Sequence, residues 1–143
     1  MLIKQLSVFV ENKKGRLMQI TKILAENNIN MSALSIADTT DFGILRIIVN
    51  DPDKAQKALS EAGVTVKCTE VCAFAAPDKP GELHKALAYL VDEDMNIEYM
   101  YAFIGKKDSR AIVVVRVDNP QKAVEVFKKN GVTVVEASEA YNL

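Results

Sequence analysis

Gly63-Val64-Thr65-Val66 and Gly131-Val132-Thr133-Val134 are the same four residues met twice in one chain, at an offset of 68 (131 less 63). At the same offset Asp51-Pro52 stands against Asn119-Pro120. Beyond a two-residue insertion near Gly105-Lys106-Lys107 the offset becomes 66: Gly15-Arg16-Leu17 faces Gly81-Glu82-Leu83, and Asn28-Ile29-Asn30 faces Asp94-Met95-Asn96. A match that persists across helix, turn and strand means that one supersecondary unit is used twice.

The unit can be read residue by residue. Ile3 to Val10 is apolar and β-branched, a strand, and Asn12-Lys13-Lys14-Gly15 follows as a turn. Leu17, Ile20 and Leu24, with Ile23, recur at helical spacing until the breakers Asn27-Asn28. Ile29 to Ala37 and Phe42 to Val49 are strand-like runs joined by the turn formers Asp38-Thr39-Thr40-Asp41. Asp51 caps a second helix with Pro52 at its first position and Gly63 closing it, and Thr65 to Thr69 is a strand. The second unit repeats the order: strand 71–75, helix 81–94, strands 97–104 and 111–117, helix 120–130, strand 133–137.

The string βαββαβ, twice, predicts an α+β protein of two tandem ferredoxin-like units, residues 1–70 and 71–143. Cys68 to Ala76 leaves almost no linker. The units therefore form one body, with antiparallel sheets side by side, or one eight-stranded sheet, and helices on one face. Helices cover only one face, yet one alternating set of 97–104 is Tyr99, Tyr101 and Phe103, and in 111–117 both sets are apolar, Ile112 and Val114 on one side and Val113, Val115 and Val117 on the other. An apolar face needs a cover, and the expected cover is a second copy in a homodimer.

Composition narrows the function. The chain has 143 residues, 49% hydrophobic and 26% charged, with 18 Lys and Arg against 19 Asp and Glu. No overall field attracts a polyanion, so nucleic acid is not an expected partner. No apolar stretch reaches membrane-spanning length and no basic, apolar, cleavable leader opens the sequence, so a cytoplasmic location is expected. Cys68 and Cys72 are too few for a disulfide framework; with His84 as the only nitrogen ligand available, no metal site and no cofactor are expected. Ser-His-Asp sets, phosphate loops and dinucleotide fingerprints are absent, so no catalytic residue is assigned.

On these residues the chain resembles the ACT domains, small βαββαβ modules that bind amino acids and regulate metabolic enzymes. Asp78-Lys79-Pro80-Gly81-Glu82-Leu83 looks like the family's D-x-P-G-x-L loop between first strand and first helix. Asn12-Lys13-Lys14-Gly15-Arg16-Leu17 keeps only its glycine and leucine, so the two loops are not equivalent. The resemblance implies a ligand, a free amino acid, held where two modules meet, by this loop of one module and the start of a second strand. It also implies a metabolic enzyme as the regulated partner.

The candidate ligand-binding residues are then Asn12, Gly15, Arg16, Leu17 and Asn30, and Asp78, Pro80, Gly81, Glu82, Leu83 and Asn96. Gly15 and Gly81 permit positive φ at a helix N-terminus, where free N–H groups and the helix dipole favour a carboxylate, or each merely makes a tight turn. Asn30 and Asn96 both donate and accept, which suits a zwitterion, or are ordinary loop asparagines. Asp78 either pairs with a ligand ammonium or caps the following helix. Arg16 forks onto a carboxylate or lies in solvent. Three competitors stay open: a ligand-free interaction module, a small enzyme on the same scaffold, and an RNA-binding module, for which the two central strands offer only Phe74.

Overall fold

The computed structural model describes residues 2–38 and 41–143; the middle of the expected turn at Asp38 to Asp41 lies outside the described residues. The elements run β1 (Ile3–Glu11), α1 (Arg16–Glu26), β2 (Met31–Asp38), β3 (Phe42–Val49), α2 (Pro52–Glu61), β4 (Val66–Pro77), α3 (Glu82–Asp92), β5 (Ile97–Lys107), β6 (Arg110–Val117), α4 (Pro120–Lys129), β7 (Thr133–Val134) and α5 (Ala137–Ala140).

Matching residues fold alike in the two units. Gly15 and Gly81 start α1 and α3 in the left-handed region, at φ 86° and 88°. Asn28 and Asp94 leave those helices at φ 56° and 57°. Asp51 and Asn119 each accept a hydrogen bond from the backbone N–H three residues on, at 3.1 Å in both cases, and each is followed by proline. The two extra residues of the second unit are absorbed in the β5–β6 hairpin, whose register shifts by two between Ala102 and Lys106.

Two details differ from the sequence reading. The expected strands 65–69 and 71–75 are one continuous strand, β4, because nothing between Thr69 and Val71 breaks extended backbone. The expected strand 133–137 stops at Val134, with one further ladder bond from the Val135 N–H to the Ala73 carbonyl. The chain then turns into α5, as suits the sequence Ala-Ser-Glu-Ala. Seven strands therefore stand where eight were expected.

Those seven strands close on themselves. β1 pairs with β3, β3 with β2, β2 with β5 through Ala33 and Phe103, β5 with β6, and β6 with β4, all antiparallel. β4 completes the ring: its first half, Val66 to Val71, pairs with β1 and its second half, Cys72 to Pro77, with β6. Helices α1 and α2 cover the outside over Leu6, Val8, Leu45 and Ile47. Helices α3 and α4 cover it over Cys72, Phe74, Val113 and Val115, where the Phe74 and Phe127 rings lie 4.8 Å apart.

The helix-free faces look at each other across the interior of this barrel-like sheet. Ile3, Ala33, Ile48, Val71, Phe103, Ile112 and Val114 form a third buried cluster there. The apolar face that pointed to a second copy is thus covered within the chain. What stays uncovered is part of the outer face at the β2–β5 seam, beyond the reach of the helices. There Leu34, Ile36, Met100 and Ile104 are all exposed, between 41% and 67%.

Candidate functional site

β1 and β2 run parallel, each antiparallel to β3, so the loop that follows β1 and the start of β2 lie at opposite ends of one unit. Asn12 to Leu17 therefore does not meet its own Asn30, nor does Asp78 to Leu83 meet its own Asn96. The seam reverses this. Because β2 and β5 are antiparallel about Ala33 and Phe103, the start of β2 lies towards the end of β5 and the end of β2 towards the start of β5. The start of β2 faces the end of β5, where the Lys106 ammonium is ion-paired with Asp78 of the second loop. The start of β5 faces the end of β2, where Asn12 donates its backbone N–H to the Asp41 carbonyl. The topology thus brings each unit's loop to the same end of the sheet as the other unit's second-strand entrance.

Both loops end in a helix N-terminus without a side-chain cap, its first N–H taken by the loop itself: Arg16 donates to the Lys13 carbonyl at 3.2 Å and Glu82 to the Lys79 carbonyl at 3.3 Å. Neither Gly15 nor Gly81 supplies a side-chain cap, and a Cβ on either would meet nothing within 4 Å, so the approach to the first-turn N–H groups is open. Asp78 does not cap α3; its carboxylate is engaged by Lys106. Asn12, Arg16, Leu17, Pro80, Gly81 and Leu83 are exposed, and Glu82 is half-buried. Arg16 sits 3.8 Å from Glu11, which Lys13 also approaches at 3.1 Å. The Lys13 hydrogen bond first, then the charges of Lys13 and Arg16, hold the Glu11 carboxyl below the usual carboxylate range. Asn30 exchanges backbone hydrogen bonds with Asn50, at 3.0 Å to its side chain and 3.1 Å from its N–H, which fixes the strand entrance. Asn96 is exposed at the equivalent place.

A pocket of about 150 Å³ opens at the first loop, lined by Asn12, Lys13, Leu17, Ile36 and Asp38. Another, about 520 Å³ and wider, lies at the second between Asp78, Lys79, Lys106 and Arg110. The space beneath each first helix is also repeated: a groove of about 350 Å³ lined by Arg16, Gln19 and Gly63, and one of about 170 Å³ lined by Glu82, Lys85 and Gly131.

The thiols lie away from both loops. Cys68 and Cys72 share the outer face of β4, one under each helix pair, and burial pushes the Cys72 thiol up to about 12. His84 is exposed on α3. Among the described residues no group of three His, Cys, Asp or Glu side chains could hold a metal ion. Phe74, the aromatic on which an RNA reading depended, is fully buried beneath the helices.

Sequence reasoning missed a polar cluster inside the barrel. Tyr101 donates its hydroxyl to Gln5 Oε1 at 2.6 Å; Gln5 Nε2 donates to the Tyr99 hydroxyl at 2.7 Å and to Ser7 Oγ at 3.2 Å. The Arg46 guanidinium lies over the Tyr99 ring, 3.7 Å from its centroid. Burial drives the Tyr101 phenol well above the ordinary tyrosine range, so it stays a donor. The available signal was a glutamine and an arginine interrupting otherwise apolar strands.

Comparison with known proteins agrees with this architecture. The family model described as ACT domain pair matches residues 1–143. The chain belongs to the ACT domain family. Protein BT0572 from Bacteroides thetaiotaomicron is 48% identical, with a TM-score of 0.94 over 100% of this chain and 98% of that one. The ligand-free regulatory subunit of aspartate kinase from Thermus thermophilus shares the fold at 16% identity, TM-score 0.63, over 90% of this chain and 93% of its own. The Clostridium acetobutylicum aspartate kinase does so at 18% identity, TM-score 0.58, over 88% of this chain and 32% of its own. No curated protein matches. ACT pairs are a regulatory domain type, and no helix among the described residues of this one is long and apolar enough to cross a membrane.

Proposed function

We propose that this ACT pair is an amino-acid-binding regulatory protein whose ligand sits at the junction of its units, 1–70 and 71–143. The observation that supports the reading is the antiparallel meeting of β2 and β5 at Ala33 and Phe103, which brings each unit's loop and the other unit's strand entrance to the same end of the sheet. In one site the first-turn N–H groups after Gly81 bind the ligand carboxylate, the helix dipole favours that charge, and the Asn30 amide accepts from the ammonium. In the other, Gly15, Asn12 and Asn96 play the same parts, with Arg16 as an extra cation. The two sites differ in affinity because the loops differ in charge: Asp78-Lys79-Pro80 in one, Asn12-Lys13-Lys14 in the other.

A ligand that spans the seam favours one arrangement of the units over another, and a metabolic enzyme or a second copy of the chain reads the difference. The homodimer belongs on the outer seam, through Leu34, Ile36, Met100 and Ile104. The reading assigns no catalysis to the chain and needs no cofactor, and a cytoplasmic location suits it. The test is a thermal-shift screen against each of the twenty amino acids. Ligand at about a hundredfold above Kd adds roughly 2.7 kcal/mol, worth about 4 °C or more at this size. Selective stabilisation by one or a few amino acids is expected; no shift with any at millimolar concentration overturns the reading in favour of a ligand-free interaction module, for which the exposed seam would then be the binding surface.

A further inference from the structure

The interior of the barrel has two ends, and the repeat makes them equivalent by position. They are finished differently. At one end α5 folds inward: Ala137, Ala140 and Tyr141 pack onto Ile3, Val71, Ala75 and Ile112 and seal the space. Tyr141 also accepts the Lys4 backbone N–H at 2.9 Å. The residues equivalent to α5 in the first unit are part of β4, so among the described residues no helix plugs the other end. Exposure rises towards it along three strands: from Ile3 at 0% to Phe9 at 50%, from Ile48 at 0% to Phe42 at 53%, and from Phe103 at 7% to the half-buried Tyr101 and Tyr99.

The open end is also the polar one. Gln5, Ser7 and Arg46 line it where the second unit has Val71, Ala73 and Val114 at equivalent positions, all fully buried. The fold therefore does not require polarity there. Arg46 is half-buried, its Nε is buried with no hydrogen-bond partner, and none of the described carboxylates lies within ion-pair distance. Arg116 on β6, by contrast, is used: it donates to Glu98 at 3.1 Å and to the Glu70 carbonyl at 2.6 Å. A buried Nε–H without an acceptor is a donor left to be satisfied. Stacking on Tyr99 occupies its face and leaves its edge, which carries the donors.

We propose that this open mouth is a second ligand site, separate from the loops, that takes a small organic acid with an apolar body. Its carboxylate binds the edge of Arg46 beside Ser7, and its apolar part lies on Phe9 and Ile44 at the lip. A guanidinium fork matches a planar carboxylate, and the half-exposed aromatic lip selects against a bare anion.

The experiment is a titration of the whole protein with benzoate, acetate and inorganic phosphate, followed by the Arg46 Nε–H and Ile44 methyl resonances. Benzoate shifts both along one saturable curve, and acetate and phosphate bind at least tenfold more weakly. Arg46→Val, which copies the second unit's Val114, weakens benzoate at least tenfold; should that variant not fold, Phe9→Ala at the lip weakens it at least threefold. Arg16→Ala, in the loop at this same end of the barrel, leaves benzoate binding unchanged, which separates this site from the loop site. Absence of a saturable shift at Arg46, undiminished binding by the folded variant, or equal affinity for phosphate overturns the proposal.

Discussion

Gly81 and Arg46 show how far single residues in this chain are explained by position. At Gly81 the constraint is the backbone: φ is 88° and no atom would clash with a Cβ. Gly81→Ala should therefore lower stability by about 1–2 kcal/mol, the cost of a left-handed L-residue, with folding still cooperative in urea. A loss under a few tenths of a kcal/mol would mean that the loop relaxes freely. The glycines were legible from the sequence, since a repeated Gly-x-Leu before a helical stripe admits few readings. Arg46 was not, because its surroundings come from β1 and β5, distant in sequence. Cys72 gives a second prediction. Its thiol is fully buried and pushed up to about 12, and only the thiolate reacts. At pH 8 iodoacetamide should alkylate it only as fast as the protein opens, measured by mass spectrometry with and without urea; equal rates would contradict its burial.

Among elements, the caps and the helices were legible and the joins were not. Asp51, read as a cap from the sequence, accepts the expected hydrogen bond, and Asn119, its repeat match, does the same. Asn119→Ala should cost about 1 kcal/mol by thermal unfolding, and the Asp51 variant a similar amount. The fusion of two expected strands into β4 was hidden because a strand carries no internal mark of where its partner changes from β1 to β6. The replacement of the last strand's end by α5 was hidden for a related reason: Ala137 and Ala140 gain from the interior they close, which exists only once the ring has formed. Removal of residues 137–143 should lower stability by about 2–4 kcal/mol, the loss of a small apolar plug, read as an earlier urea midpoint. An unchanged midpoint would show that α5 does not seal the barrel.

For the whole molecule, the repeat pointed to an α+β class and a paired module, and the ACT domain pair match over residues 1–143 agrees. The pairing of the units was beyond the repeat. Which strand edges meet is decided by a contact between residues 33 and 103, and alternation along a strand says only that one face is buried, not what buries it. The Tyr99, Tyr101 and Phe103 face was thus read correctly as needing a cover, while the cover turned out to be the chain itself. The dimer expectation moves to the outer seam, where Leu34→Lys with Ile104→Lys should convert a dimer to a monomer by light scattering; a wild-type monomer at tens of micromolar would remove that interface.

The central claim, that each amino-acid site is built from both units, is tested most directly by backbone amide mapping in a millimolar mixture of all twenty amino acids. The account predicts simultaneous, saturable perturbation of residues from opposite units, 78–83 together with Asn30, or 12–17 together with Asn96. Perturbation confined to one unit's loop, or none in either pair, would contradict it.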